Sequence, residues 1–291
     1  MVAGLFHALG LLPLAWALPL GRAVGRAVWR VAWRPRGLAL AHLELAFPEL
    51  DPQARAALGA QSFEALGEHL FELICAHQLR GQLRGWVDFD AQSRAALDAA
   101  LAEGRGVLVL TGHIGSWELA AQAVAAWGYE VLAVARRIHE ARLEALIEGS
   151  RSAGGVETLH KGSPMTGLTL LRRLRRGGAV FMLVDQDTDV PSHFAPFFGR
   201  PAATPRAPAD LALRQGVALI MGFIHRRPGG GHTLRCERLA LPPPSGAHET
   251  DALAISAAIN QRIEAELRQH PAQWVWFHRR WRRQPAPERA S

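Results

Sequence analysis

Short continuous apolar runs alternate along this chain with stretches whose apolar residues recur every three or four positions. That is the pattern of buried strands joined by helices. Val107–Leu110, Val131–Ala135 and Ala179–Val184 are apolar without interruption, as strands covered on both faces of a sheet must be. A short strand near Thr158 and two later ones, Val217–Phe223 and Thr233–Leu239, complete the set. Helical spacing marks Gln92–Ala102, Trp117–Ala126, about Glu140–Ser152, the Leu168/Leu171/Leu174 stripe, Ala207–Gln215 and Glu249–His270. Upstream, Phe63, Leu66, Leu70, Phe71 and Ile74 predict an amphipathic helix reaching about Leu79, opened by an N-cap at Asp51-Pro52. The expected fold is α/β, a mixed, largely parallel sheet flanked by helices.

The first residues break this pattern. Residues 2–20 are apolar apart from His7, and Arg22, Arg26, Arg30, Arg34 and Arg36 follow closely. A span of about 20 residues would cross a bilayer, with the arginines holding its C-terminal end in the cytoplasm. Pro13 and Pro19 leave a second possibility open, a kinked helix lying in the interface with Trp16, Trp29 and Trp33 at headgroup depth. Either way the expectation is an N-terminal membrane anchor and basic flank over residues 1–36, followed by a catalytic domain over 37–291.

With 291 residues the chain can bury a self-sufficient core, and its two cysteines, Cys75 and Cys236, form no disulfide framework and no cysteine metal site. A reducing compartment fits that usage. The net charge of +7 points to anionic partners. Zinc-finger spacing, an aromatic RNA-binding strand and a basic region running into heptads are all missing from the sequence, so no nucleic-acid partner is expected. Lys161 is the sole lysine among 33 basic residues. Coding bias accounts for the arginines, and the surviving ammonium marks Lys161 as a candidate substrate-binding group.

Candidate chemistry gathers where strands end. After Val107–Leu110 the sequence turns polar at Thr111-Gly112-His113-Ile114-Gly115-Ser116, then becomes helical. His113 and Glu118 cannot share a helical face, but they can meet if the imidazole lies in the turn and the acid in the first helical turn. The carboxylate would then fix the tautomer and leave the other nitrogen free to take a proton from a hydroxyl. The plainer alternative is a hydrogen-bonded turn histidine beside an acid favoured by the helix dipole. No Gly-x-Ser-x-Gly elbow is present, which favours direct transfer over a covalent enzyme intermediate.

Arg136, just past Val131–Ala135, is either part of an anion site or a solvated loop residue. Asp185 ends Ala179–Val184 and is placed to position a substrate or a neighbouring basic group. Its alternation with Asp187 and Asp189 fails as a calcium loop, because Val190 and Pro196 stand where Gly and Glu are needed, so no metal and no cofactor is expected. His193–Thr204 either lines an acyl groove or packs over the sheet edge. Pro271–Arg283, with three tryptophans among basic residues, suits an interface or a phosphate-bearing ligand.

Taken in order, HLELAFPEL (42–50), GHIGSWE (112–118), DQD (185–187), FFGRPAAT (197–204) and PAQWVWFHRRW (271–281) resemble the motifs of the late acyltransferases of lipid A biosynthesis, within the glycerophosphate and lysophospholipid acyltransferase group. The resemblance implies that His113 is the general base, that Glu118 orients it, and that Arg136 and Asp185 support the site. It implies an acyl thioester donor, commonly acyl carrier protein with acyl-CoA as the alternative, and a lipid acceptor at the cytoplasmic face of the inner membrane. His42 and Ala272 depart from the family's usual Asn and Glu, which bears on the acceptor. Related acceptors, lysophospholipid or glycolipid, stay open, as does hydrolysis of a lipid ester or thioester by the same base.

Overall fold

The computed structural model describes residues 8–138, 140–161 and 166–285. Helices α1 (Leu14–Val31), α2 (Trp33–Ala46) and α3 (Pro52–Ile74) come first. Asp51 caps α3 by accepting from the Ala54 N–H at 2.7 Å, with Pro52 at the first helical position, as the sequence predicts. Strand β1 (Val87–Phe89) leads to α4 (Ala91–Leu101), β2 (Val107–Thr111), α5 (Trp117–Ala126), β3 (Val131–Ala135), α6 (Ala141–Ala153), β4 (Val156–His160), α7 (Thr166–Arg175) and β5 (Ala179–Leu183). A hairpin of β6 (Ser192–Phe197) and β7 (Arg200–Pro205) follows, then α8 (Ala207–Gln215), β8 (Ala218–Arg226), β9 (His232–Arg238) and α9 (His248–Gln269).

Seven strands form one sheet in the order β1-β9-β8-β2-β5-β3-β4. All neighbours in it are parallel except β8 and β9, so the mixed, largely parallel sheet is observed. β2 sits in the middle, every one of its residues buried, between β5 and β8. Its side chains alternate between two cores. Leu108 and Leu110 face the core shared with α2, α9 and the C-terminal tryptophans, while Val107 and Val109 face that built from α4 and α5.

The aromatic, proline-rich stretch expected as a groove or a sheet-edge cover is the β6–β7 hairpin, a separate two-stranded sheet. Phe197 and Phe198 are buried against Trp274 and Trp276. Fully buried Arg280 ties the hairpin to α9, donating to the Ala203 carbonyl, to Thr204 Oγ1 and to Asn260 Oδ1.

Among the described residues no helix is long and apolar enough to cross a membrane, and residues 1–7 of the expected anchor lie outside those described. α1 instead packs along α3. A Cβ on Gly25 would stand 2.1 Å from the Phe63 carbonyl oxygen, and one on Gly67 would stand 2.1 Å from that of Gly21, so the helices touch backbone to backbone. On its other side α1 exposes Trp16, Leu20, Val24, Val28 and Val31, with Trp33 next in line.

Candidate active site

The parallel register of β2 and β5 pairs Thr111 with Leu183, and both chains leave the sheet there. Carried two residues further, the same register sets His113 opposite Asp185. The contact is made twice: His113 Nδ1 lies 2.8 Å from Asp185 Oδ1, and the His113 backbone N–H donates to Oδ2 at 2.7 Å. A third donor, the Trp274 indole, reaches Oδ2 at 2.7 Å. Burial by itself would raise the Asp185 carboxyl, but the His113 ring and N–H with the Trp274 indole outweigh it and hold the group well below the usual carboxylate range. Asp185 is therefore an anion with its oxygens committed to donors. It fixes the ring with hydrogen on Nδ1 and leaves Nε2 as the basic nitrogen.

The turn after β2 is shaped by what it packs on. Gly115 has φ +57°, and a Cβ there would lie 2.1 Å from the Ile224 carbonyl oxygen. Ile114 bridges to Trp274, and the Gly115 N–H donates to the Gln273 carbonyl at 2.8 Å, so the C-terminal segment closes over the turn. Beneath it, Ser116 donates to Glu72, a fully buried carboxylate that also receives Arg226, His232 and the Trp86 indole. Burial would raise Glu72, but His232, Arg226 and Ser116 outweigh it and keep it ionised.

Two residues absent from the sequence-based site complete the centre. The Gln186 amide nitrogen lies 3.1 Å from His113 Nδ1 and 3.0 Å from Nε2, a near-equal spacing that puts it over the ring face rather than on one lone pair. The same amide donates to His278 Nε2 at 2.7 Å. Burial first, and then the neighbouring His113, push His278 down to about 4, so it is a neutral acceptor near pH 7. The signal for both was present, because each belongs to a motif singled out above, DQD and WVWFHRRW.

Glu118 is not the partner of the imidazole. Its carboxylate is held at both oxygens by Arg151 of α6, each at 2.7 Å. The helix dictates this: Glu118 shares a face with Gln122 one turn on, and Gln122 bonds Ser150 of the same neighbouring helix at 3.1 Å. Trp117 points the other way, its ring 5.0 Å from His113 and 4.1 Å from His69, centre to centre. The expected His113–Glu118 contact is thus replaced by His113–Asp185, with Glu118 pairing α5 to α6.

Arg136 and Lys161 follow the C-terminal ends of β3 and β4, on the same sheet edge as His113 and Asp185. The Lys161 N–H donates to the Ala135 carbonyl at 2.8 Å, and burial followed by nearby Arg136 lowers its ammonium below the usual lysine value. A cleft of about 640 Å³ flanks the turn, lined in part by His69, Ser116, Arg226, Gln273 and the same Trp117 whose ring neighbours His113. A shallower groove of about 520 Å³ opens between Trp33, Arg34 and Leu38 of α2 and the Phe277 and Arg279 that flank His278.

An imidazole oriented by a buried carboxylate, at the carboxyl end of a central strand, equips an α/β enzyme to take the proton of a hydroxyl. The sequence comparisons give that class its chemistry. The model of the family described as bacterial lipid A biosynthesis acyltransferase matches residues 1–283, and the chain belongs to that family. It is 29% identical over 277 residues to the lipid A biosynthesis palmitoleoyltransferase of Escherichia coli (strain K12), covering 92% of this chain and 86% of the relative. It is 26% identical over 249 residues to the lauroyltransferase of the same strain, covering 84% and 78%. It is also 29% identical over 193 residues to the phosphatidylinositol mannoside acyltransferase of Mycobacterium tuberculosis (strain CDC 1551 / Oshkosh), covering 64% and 57%. The chain is an acyltransferase.

Proposed function

We propose that this enzyme moves a fatty acyl chain from a thioester, carried by acyl carrier protein or coenzyme A, to a hydroxyl of a lipid A precursor or related glycolipid. His113 is the general base. The observation that carries this reading is the His113–Asp185 pair, which engages Nδ1 and turns Nε2 away from the carboxylate on a side chain that is 20% exposed. The acceptor hydroxyl gives its proton to Nε2 as its oxygen bonds to the thioester carbonyl carbon. The resulting oxyanion is stabilised by the N-terminal end of α5 and by the Gln186 amide. Collapse breaks the carbon–sulfur bond, and the thiol leaves with the proton that His113 took up.

Basic groups at the same edge, Arg136 and Lys161, offer an anion contact for a phosphate of either substrate. The apolar face of α1, where Trp16 and Val31 are 71% and 75% exposed, supports docking on a bilayer, with Arg30, Arg34 and Arg36 near its headgroups. In this reading the enzyme works at the cytoplasmic face of the inner membrane, where acyl thioesters and lipid precursors meet.

The test uses the purified full chain with an acyl carrier protein thioester, with and without a phosphorylated glycolipid acceptor, and measures products by mass spectrometry. His113→Ala should lower acyl transfer by roughly 10² to 10⁴ while leaving the fold intact. Equal release of free fatty acid with and without acceptor would replace transfer by hydrolysis, and unchanged turnover in the variant would remove His113 from the mechanism.

A further inference from the structure

Away from the acyl-transfer centre, β8 and the C-terminal end of α9 bring two imidazoles and a carboxylate together. His225 is the penultimate residue of β8, Glu266 lies in the last turn of α9, and His270 is the residue that caps it. The three can each present one donor atom within 4.8 Å of the others. Glu266 and His270 are one helical turn apart, and the His270 N–H donates to the Glu266 carbonyl at 3.0 Å. His225 stacks on His270 with ring centres 3.8 Å apart and hydrogen-bonds Glu266 through Nε2. None of these groups takes part in the mechanism above.

We infer that His225, Glu266 and His270 form a binding site for a divalent transition-metal ion, zinc being the best fit. Two imidazoles with one carboxylate and no thiol are a donor set suited to zinc, whose three-ligand protein sites keep a further position for water. A second observation points the same way. The His225 side chain is 9% exposed and directs Nε2 at the Glu266 carboxylate, so the nitrogen that would meet the ion is already aimed at a second ligand. Half-buried His270 gives water a route to the open position.

Zinc-to-ligand bonds of about 2.0 to 2.1 Å place donor atoms roughly 3.3 Å apart, so binding draws together donors that now lie within 4.8 Å and opens the 28° stack of the two rings until both in-plane lone pairs meet the ion. The ion takes the place of the proton in the His225–Glu266 hydrogen bond, which is released to solvent. Arg262 holds the second oxygen of Glu266 at 2.6 Å and is itself paired with Glu237, so the carboxylate is already oriented from outside the site.

Its role would be to position residues rather than to react. The chain leaves His270 into Pro271–Trp274, and Gln273 accepts from the Arg226 N–H at 2.9 Å while its carbonyl accepts from Gly115. Trp274 then reaches Asp185. A metal joining His225 to His270 would clamp the start of the segment that closes over the catalytic turn.

The experiment uses the full chain without a polyhistidine tag, stripped with chelator, desalted, and titrated with Zn²⁺ alone. One equivalent should bind, and a 100-fold excess over the dissociation constant should raise the melting temperature by roughly 5 °C. His270→Gln, at a half-buried position that tolerates change, should weaken binding by on the order of 100-fold. A second cluster, Glu144, Glu148 and His160, provides the control, and His160→Ala should bind zinc like the parent. Substoichiometric retention, binding unchanged in His270→Gln, or binding lost in His160→Ala would each overturn the assignment. None of these readouts depends on acyl transfer.

Discussion

Asp185→Asn is the sharpest perturbation of the centre, because it keeps the shape of the side chain and changes what its oxygens can do. In the native arrangement Oδ2 accepts from the His113 N–H and the Trp274 indole, while Oδ1 accepts from His113 Nδ1. Asparagine has one carbonyl oxygen. Keeping the two bonds at the Oδ2 position turns the amide NH₂ toward Nδ1, which must then offer a lone pair. The ring proton moves to Nε2, and the nitrogen that should take the acceptor's proton no longer can. The opposite flip restores the tautomer but leaves the His113 N–H and the Trp274 indole facing an NH₂ group, both of them buried donors without acceptors.

In a serine protease, where the corresponding change produces the wrong tautomer, the loss is about 10⁴ in kcat, or about 5.4 kcal/mol of activation free energy. The same logic sets the expectation here at 10³ to 10⁴. The assay is steady-state transfer to a micellar acceptor, with kcat and KM resolved separately and the fold checked by circular dichroism and melting temperature. The loss should fall on kcat, because in the proposed mechanism Asp185 touches the base rather than either substrate. A folded Asp185→Asn enzyme within tenfold of the parent kcat would refute the tautomer argument and return the orienting role to another group.

Breaking the Glu118–Arg151 pair should act on stability first. Glu118→Gln and Arg151→Gln each leave a largely buried charge without its partner, worth about 3 kcal/mol or less given side chains 9% and 12% exposed, and the double variant should be no worse than either single one. Additive losses in chemical denaturation would rule out the pairing. Gly25→Ala inserts a methyl where the α1 and α3 backbones touch, and should cost about 1 to 3 kcal/mol and render residues 14–31 sensitive to protease; a parent-like melting temperature and digest would contradict that contact. Acid should destabilise the fold in a defined window. Burial pushes His69 and His278 down to about 4 from an unfolded value near 6.5, so their contribution is complete above pH 6.5 and is lost as pH falls toward 4. The slope in that window is at most about 1.4 kcal/mol per pH unit for each group, and a flat melting temperature between pH 7 and 5 would show that neither ring is held neutral.

How far the fold is legible depends on how each strand is buried. β2, β3 and β5 are covered on both faces and therefore write themselves as unbroken apolar runs, readable from a few residues. β1 has three residues with an exposed Asp88 at its centre, too short and too mixed to stand out. The β6–β7 hairpin carries Pro196, Pro201 and Pro205, which argue against strand in a large sheet, yet both of its strands are edges of a two-stranded sheet where a missing N–H costs little. Residues 2–20 read as one apolar stretch with basic residues behind it, where the structure has α1 over Leu14–Val31 and α2 over Trp33–Ala46. Their break at Ala32 and the glycine contacts that lay α1 on α3 depend on a partner that lies distant in sequence.

The same distinction explains the site. That His113 is a candidate for chemistry is legible from a local fact, an imidazole where a buried run gives way to glycine-rich turn. Which acid serves it is a nonlocal fact. Glu118 is five residues away, which favours it by proximity along the chain, but a helix directs its first-turn side chain by its own geometry, toward α6. Asp185 is 72 residues away and is delivered by parallel pairing, since His113 and Asp185 each stand two positions beyond register partners Thr111 and Leu183. Knowing that β2 and β5 are neighbours would have been sufficient to identify the pair, whereas local patterning gives strands without their order. Trp274 and His278 add the third requirement, a C-terminal segment folded back onto the sheet edge, where the Trp274 indole joins His113 on the Asp185 carboxylate and His278 meets the Gln186 amide.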